Sequence, residues 1–198
     1  MTEALNDVLA LFSQLGELCP VLDRAGALAA ATLRSGRKLL LCGNGGSACE
    51  AQHLAGELAG RYKHDRRALA AVSLNADGAV LTCIGNDYSF DDVFARQIEA
   101  IGQPGDLLVA FTTSGQSPNV IRGLEAANRL GIASVVFLGR GGGAALPLAT
   151  LALVVPHHDT ARIQEAHQFL LHCLMDRIEA ASVYAKANHG SRQGGNEL

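Results

Sequence analysis

The chain of 198 residues, 48% of them hydrophobic, is long enough for one domain with a sizeable core. Its formal net charge of −3 excludes the broad basic surface by which proteins hold nucleic acid. The 5 cysteines, an odd number without CxxC spacing, indicate buried free thiols in a reducing compartment. No signal-like segment opens the sequence and no apolar run would span a bilayer, so we expect a cytoplasmic protein without a membrane partner.

Apolar residues at helical spacing predict two helices at the start of the chain, over 3–18 and 21–33. Beyond them, short apolar runs alternate with helical segments. The runs predict five strands, at 38–42, 69–74, 106–111, 133–138 and 151–155. The helical segments predict five more helices, at 48–59, 77–84, 90–101, 117–130 and 160–184. Because the strands are almost continuously apolar, both of their faces should be covered, as in a parallel sheet between helical layers.

We therefore predict an α/β fold, a doubly wound five-stranded parallel sheet sandwiched by helices, with an N-terminal helical pair. One domain is expected over 1–185, followed by a flexible tail over 186–198 that is rich in Gly, Ser and Asn. The charged stretch 61–67 is interpreted as a solvated connection, in which Arg61 is a candidate for neutralising a phosphate across an interface. The glycine run 139–143 is interpreted as a flexible connection with Arg140 exposed.

Two polar loops follow predicted strands at the edge where open parallel sheets bind ligands. The first, GNGGS at 43–47, allows close backbone approach through its glycines, and Ser47 can cap the next helix while amides face an anion. The second, TTSGQS at 112–117, places hydroxyls before a helix that Ser117 caps and Pro118 begins. Neither loop is a Walker motif or a dinucleotide fingerprint. Each alone is also compatible with an ordinary turn, but together they predict a phosphate site.

Two helices carry polar side chains on one face. His53 and Glu57 are one turn apart, and Gln164, Gln168 and His172 form a stripe in an otherwise apolar helix. Polar groups are costly to bury unless they are used, so these side chains could together hold a divalent ion or transfer protons on a sugar. The alternatives are that His172 is an interior histidine and that His53 and Glu57 form a surface pair.

With these residues in view, the sequence resembles the sugar isomerase (SIS) domain proteins and, within them, the bacterial phosphoheptose isomerase family. The resemblance covers about residues 1–182. It rests on a set of motifs, which are GNGGS at 43–47, AQH at 51–53, EL at 57–58, GND at 85–87, TSG at 113–115 with Ser117, and RIQE at 162–165 followed by His167 and His172.

The resemblance implies conversion of sedoheptulose 7-phosphate to D-glycero-D-manno-heptose 7-phosphate, the first step of ADP-heptose synthesis. It implies that the phosphate is held by hydroxyl groups, which are those of Ser47, Thr112, Thr113, Ser114 and Ser117. It implies a sugar site formed by Asn44, Gly45, Gly46, Asn86 and Asp87, with Glu57 and Gln164 also contacting the substrate. It implies one zinc ion per subunit, bound by His53, Glu57, Gln164 and His172. Members are typically homotetramers with active sites at subunit interfaces.

The sequence departs from the family pattern at two positions. Thr112 stands where the family often has Ser, which keeps the hydroxyl. Ala161 stands where the family has an Asp before the RIQE stretch, and Asp159 lies two residues earlier. Whether Asp159 takes that role from a shifted loop stays open at the level of sequence.

Ketose–aldose isomerisation moves a proton between C1 and C2 through an enediol, which needs a base at carbon and an acid at oxygen. We predict Glu57 as the base and His172 as its acid/base partner. A metal held by the same groups could polarise the carbonyl, although binding a metal and acting as base compete for the lone pairs of Glu57. The alternative function is a non-catalytic SIS-domain protein that regulates the bacterial replication initiator, whose members typically lack this pair. A phosphosugar-sensing regulatory domain ranks last, because no DNA-binding helix pair is present.

Overall fold

The computed structural model describes the backbone of residues 1–190 and the side chains of residues 1–181. The strands are β1 Leu39–Gly43, β2 Ala71–Ser73, β3 Leu107–Thr112, β4 Ala133–Leu138 and β5 Leu151–Val154. The α-helices are α1 Thr2–Gln14, α2 Cys19–Arg34, α3 Gly46–Ala59, α4 Gly78–Asp87, α5 Ala95–Ile101, α6 Pro118–Arg129 and α7 Thr160–Gly190. Three short 3-10 helices lie at Leu15–Leu18, Phe90–Asp92 and Gly143–Leu148. Across this described part of the chain, every helix is too short or too polar to cross a membrane.

The sheet is parallel throughout and is covered on both faces, which confirms the predicted fold class. All residues of β1 and β3 are buried. Alternate residues of β1 enter different cores: Leu39 and Leu41 pack with α1, α2, α3 and α7, whereas Leu40 and Cys42 pack with α4, α5 and α6. A strand buried on both faces needs apolar residues at every position, which explains the continuous apolar runs in the sequence.

The strand order is β2-β1-β3-β4-β5, so the chain reverses its direction of winding between β1 and β3. These two strands pair in parallel, with Gly43 at the end of β1 opposite Phe111 of β3. The loops that follow them therefore leave the sheet side by side. Such a switch point is where open α/β sheets bind their ligands.

Helix boundaries differ from the predicted ones at several places. Pro20, which lies between the predicted helices 3–18 and 21–33, is in the first turn of α2, where its missing N–H costs nothing. The predicted helix over 90–101 is divided into the 3-10 helix Phe90–Asp92, capped by Ser89, and α5. Helix α7 continues to Gly190. Residues 191–198 lie outside the described residues, so the flexible tail over 186–198 stays a prediction.

All 5 cysteines are free thiols, but the expectation that they are buried is wrong for most of them. Cys19, Cys49 and Cys83 are exposed and Cys173 is half-buried, because each lies on a helix surface. Cys42 in β1 is buried, and burial raises the pKa of its thiol to about 12. That thiol stays protonated at neutral pH and is not a nucleophile.

Candidate active site

The first polar loop is held tightly at the end of β1. The side chain of Asn75 accepts a hydrogen bond from the Gly43 amide (3.2 Å) and donates one to the Gly43 carbonyl (2.8 Å). A Cβ at Gly43 would lie 2.5 Å from the Ser47 carbonyl oxygen, so only glycine allows this turn. Gly45, at φ +57°, caps α3, whereas Ser47 is buried inside its first turn. The prediction that Ser47 caps the helix is therefore wrong.

The second polar loop follows β3 and keeps its hydroxyl groups close together. Thr112 Oγ1 accepts a hydrogen bond from the Gly115 amide at 3.2 Å and lies 3.5 Å from Ser117 Oγ. Ser117 is the N-cap of α6 and Pro118 begins that helix, as predicted. The Ser117 hydroxyl makes no capping bond to the helix. It is therefore available to an anion at this helix N-terminus.

The two loops are joined by a reciprocal pair of amides. Asn44 donates to Asn119 at 2.8 Å, and Asn119 donates back to Asn44 at 2.9 Å. Asn119 is 1% exposed, in the first turn of α6. Asn44 was predicted to line the sugar site, whereas no role was predicted for Asn119. The available signal was an asparagine directly after Pro118, at a buried position of an amphipathic helix.

The glycine run 139–143 closes over the second loop and is not the loose connection that was predicted. A Cβ at Gly115 would lie 1.9 Å from the Gly142 carbonyl oxygen, so the two backbones are in direct contact. The Ala145 amide also donates to the Gly115 carbonyl at 2.9 Å. Arg140 is exposed as predicted, but its guanidinium donates to the carbonyl of His158 and the hydroxyl of Thr160. These contacts fix the loop that carries the hydroxyls.

Three predicted metal-binding residues converge from α3 and α7. His53 Nε2 lies 3.0 Å from Glu57 Oε1, and His172 Nε2 lies 3.6 Å from the same oxygen. The two imidazole Nε2 atoms are 3.4 Å apart. Glu57 is mostly buried, whereas the two histidine side chains are about 40% exposed, at 41% and 39%. The cluster is therefore open to solvent on its histidine side.

The geometry of these atoms fits a divalent ion. Zinc–nitrogen bonds in a tetrahedral site place two nitrogens about 3.3 Å apart, close to the 3.4 Å between His53 and His172. One ligand atom from each of the three residues lies within 4.8 Å of the others. Glu57 Oε2 is buried and has no hydrogen-bond partner among the described residues. A cation coordinated by both oxygens of this carboxylate would give Oε2 the partner that it lacks.

The two glutamines of the α7 stripe occupy different places. The side-chain amide of Gln168 lies 3.2 Å from His53 Nδ1 and 3.2 Å from His172 Nε2. Gln164, the predicted ligand, has its amide nitrogen 2.5 Å from where a Cβ of Gly46 would be. Gln164 therefore packs on the first polar loop, where Gly46 leaves room for it, and links that loop to α7.

The charged stretch 61–67 contributes two residues that pack against α3 and α7, which corrects its interpretation as a wholly solvated connection. Tyr62 stacks on the imidazole of His172, with ring centroids 5.9 Å apart and an interplanar angle of 12°. The Arg66 side chain is 3% exposed and donates to the carbonyls of Glu57 and Leu58 at the end of α3. Arg61 is exposed, as expected for a connection.

A buried carboxylate holds this stretch against α7. Glu179 accepts hydrogen bonds from the amides of Lys63 and His64 and from the His64 imidazole. Burial raises the pKa of Glu179, but the hydrogen bonds from His64 and Lys63 outweigh it, so the pKa lies below its usual value. Glu179 is therefore ionised and keeps Tyr62 close to His172.

Two further predicted residues lie at the end of α4. Asn86 and Asp87 are exposed, and Asn86 donates to Asp87 at 2.7 Å. Asp87 also accepts from the Cys83 thiol at 3.6 Å. Their hydrogen bonds in the described chain are local, so their assignment to the sugar site stays a prediction.

Asp159, which the sequence analysis left open, caps α7. Its carboxylate accepts hydrogen bonds from the amides of Ala161 at 2.7 Å and Arg162 at 3.2 Å. The hydrogen bonds from the Arg162 and Ala161 amides lower the pKa of Asp159 below its usual value. Asp159 therefore stabilises the first turn of the helix that carries Gln164 and His172.

Known proteins resemble this chain over most of its length. The SIS domain family matches residues 4–139. A phosphoheptose isomerase of Campylobacter concisus is 48% identical over 170 residues, which is 86% of this chain and 90% of the relative. One from Aquifex aeolicus is 49% identical over 159 residues, covering 80% and 83% of the two chains. The solved structure of a phosphoheptose isomerase from Neisseria gonorrhoeae superposes with a TM-score of 0.85 at 39% identity, covering 90% of this chain and 96% of that one.

Proposed function

The chain belongs to the phosphoheptose isomerase family of SIS-domain proteins, and on that premise we propose that it converts sedoheptulose 7-phosphate to D-glycero-D-manno-heptose 7-phosphate. The observation that carries this proposal is the convergence of Glu57 and His172, 3.6 Å apart, from helices distant in sequence. A carboxylate and an imidazole at this distance can act on adjacent atoms of one sugar. The reaction begins ADP-heptose synthesis in the cytoplasm and so supplies lipopolysaccharide.

In the proposed reaction, Glu57 removes a proton from C1 of the ketose while His172 protonates the carbonyl oxygen at C2, giving an enediol. Glu57 then returns a proton to C2, and His172 takes back the proton of the C1 hydroxyl as the C1 aldehyde forms. No proton is gained or lost overall. The aromatic ring of Tyr62, stacked on His172, orients the imidazole for both transfers.

The substrate phosphate is proposed to lie between the two polar loops. Thr112 and Ser117 offer neighbouring hydroxyls, and Ser114 and Ser47 lie in the same two loops. Helices α3 and α6 both begin at this edge of the sheet, and the dipoles of their N-terminal amides favour an anion there. The net charge of −3 makes such local binding necessary, because no general basic field attracts the phosphate.

We propose one zinc ion per subunit, held by His53, Glu57 and His172. Because a nitrogen or oxygen lone pair bound to zinc cannot also take up a proton, coordination by Glu57 and His172 has to be loose enough to give way when the substrate binds. Imidazole and carboxylate ligands suit zinc, and the spacing of their atoms fits it. Gln164 completes the set implied by the family, while the amide of Gln168 lies against both imidazoles and orients them. When bound, the ion would polarise the sugar oxygens and so ease proton transfer next to them.

A homotetramer with active sites at subunit interfaces is the proposed assembly. Its support is a set of exposed apolar side chains on the described chain, Leu5 and Leu9 of α1 and Phe169 of α7, which are 56%, 60% and 45% exposed. The two helices meet where Phe12 packs on Phe169, with ring centroids 5.3 Å apart. Exposed apolar residues that cluster on neighbouring helices are typical of contacts between subunits. The open histidine side of the metal cluster and the exposed Arg61 leave room for groups from another copy.

The proposal is tested by following heptose 7-phosphate formation from sedoheptulose 7-phosphate, with zinc content measured on the same protein. We expect turnover and near-stoichiometric zinc for the wild type. Glu57→Gln should lower kcat by about 10²–10⁴-fold, because the amide cannot accept the carbon-bound proton. Glu99→Gln, on the exposed surface of α5, is the control and should keep full activity. A wild-type protein without turnover, with or without zinc, that binds a replication initiator tightly would replace this proposal by the non-catalytic alternative.

A further inference from the structure

Glu50 and His167 form a buried pair between α3 and α7 that has no part in the proposed reaction. Glu50 is 6% exposed and His167 is 0% exposed. Glu50 Oε2 lies 3.7 Å from His167 Nδ1. We propose that the two side chains share one proton and thereby position the metal-binding and acid/base residues of α3 and α7. This inference rests on the proposed function for its catalytic consequence, but not for its structural one.

The hydrogen-bonding atoms of the pair can accommodate one proton between the imidazole and the carboxylate. His167 Nε2 lies 3.1 Å from the carbonyl of Leu138, which can only accept, so this nitrogen carries a hydrogen. His167 Nδ1 and Glu50 Oε2 are both buried and have no hydrogen-bond partner among the described residues. The 3.7 Å between them is longer than a hydrogen bond, and a small rotation of either side chain would close it so that one proton satisfies both atoms. That matters because an unpaired buried polar atom or charge is costly.

The surroundings of the pair keep water away from this contact. The His167 ring lies against Phe111 of β3 and Phe137 of β4, with centroids 6.2 Å and 5.8 Å away. Those two phenyl rings stack on each other at 4.6 Å. A hydrogen bond in such an apolar place is stronger than one in water, and its loss is more costly.

The position of the pair explains why it affects the active site. Glu50 is three residues after Ser47 and three before His53 on α3, and His167 is three residues after Gln164 on α7. Along the two helices, the pair therefore lies between the first polar loop and the metal cluster. The Leu138 carbonyl ties the same histidine to the end of β4, so the contact fixes α3, α7 and the sheet edge together. A small shift of α7 against α3 would change the 3.4 Å separation of the His53 and His172 nitrogens.

Because both side chains are buried, neither touches a substrate, and they are positioning residues. Their test compares two replacements of Glu50. Glu50→Gln can still donate a hydrogen bond to His167 Nδ1, whereas Glu50→Met has a similar length and cannot. Glu125→Met, on the exposed surface of α6, is the matched control.

The first readout is zinc affinity, measured by competition with a chromophoric chelator. We expect Glu50→Met to bind zinc about 10–100-fold more weakly, the usual effect of losing a group that orients metal ligands. Glu50→Gln should stay within about threefold of wild type, since it keeps the hydrogen bond. In the isomerase assay, Glu50→Met should lower kcat by about tenfold or more with KM nearly unchanged. Wild-type zinc affinity in Glu50→Met, or an equal loss in Glu50→Gln, would overturn the proposal.

The second readout needs neither metal nor activity. Nitrogen-15 NMR of histidine in the wild-type protein should show a His167 ring whose Nε2 is protonated and whose Nδ1 shares a hydrogen bond, assigned by its loss in His167→Gln. A ring with a free Nδ1 would overturn the proposal even if Glu50→Met failed to fold. A protein that shows the shared proton but has no isomerase activity would instead refute the proposed function alone.

Discussion

His172 is held on three sides although its side chain is 39% exposed. Tyr62 stacks on one face, His53 meets it edge-on at 5.2 Å between centroids, and Gln168 reaches its Nε2. These contacts direct Nε2 toward Glu57. A reactive imidazole needs this restriction, because a small error in its position costs much of its rate advantage.

At the residue scale, Tyr62→Ala should therefore reduce kcat while leaving KM nearly unchanged. The stacked ring contributes about 0.5–1.5 kcal/mol to the orientation of His172, equivalent to about 2–10-fold in kcat. Tyr62→Phe keeps the ring and should retain most of the activity. Tyr88→Ala, which removes an exposed tyrosine stacked on Arg96, is the control in the same assay. Equal losses in Tyr62→Phe and Tyr62→Ala would mean that the hydroxyl, and not the stacking, matters.

At the scale of elements, the second polar loop depends on contact between two glycine backbones. Gly115 has φ +62°, and a Cβ there would overlap the Gly142 carbonyl. The 3-10 helix that follows, Gly143–Leu148, continues this contact through the Ala145 amide. The second polar loop is thus stabilised by a segment more than twenty residues away in sequence.

Gly115→Ala should lower the free energy of unfolding and weaken phosphosugar binding. Gly131→Ala is the matched control, because Gly131 has φ +67° but nothing lies within 4 Å of its added Cβ. The control should lose only about 1–3 kcal/mol from the strained dihedral. Gly115→Ala should lose more than that, since its Cβ also displaces Gly142, and only this variant should raise KM. Urea unfolding measures the first effect, and equal losses in the two variants would show that the glycine contact is unimportant.

Most of the helices and strands could be predicted from the sequence, for identifiable reasons. The five strands were predicted to within two residues at each end, because strands such as β1 and β3 are apolar over nearly their whole length. The 3-10 helix Leu15–Leu18 was predicted as a continuation of α1, since its apolar spacing does not change there. The glycine run 139–143 was misjudged because its partner, Gly115, is distant in sequence.

The candidate site was predictable where it depends on spacing within one helix. His53 and Glu57 are one turn apart on α3, so their proximity follows from helix geometry. That His172 joins them follows from tertiary packing, which the sequence suggested through the polar stripe of α7 and through resemblance to a family. The pairing of Asn44 with Asn119 and of Glu50 with His167 has no local signal, because each joins segments that meet only in the folded chain.

At the scale of the whole molecule, the topology of the sheet explains why one site draws on such distant segments. The switch point between β1 and β3 places two helix N-termini together, and α7 returns across α3 with its polar stripe. In the proposed reaction, the phosphate would bind at these loops and the reacting carbons at the metal cluster. Holding the phosphate at the loops would set C1 and C2 beside Glu57 and His172.

A double-mutant cycle on Glu57 and His172 tests most directly whether these residues act as one unit. Turnover of sedoheptulose 7-phosphate would be compared for wild type, Glu57→Gln, His172→Asn and the double variant, each checked for native fold. We expect each single change to reduce kcat by about 10²-fold or more, and the double variant to be little slower than the worse single one. If either single variant kept wild-type turnover, or if the two losses simply multiplied, the two residues would not share one reaction centre.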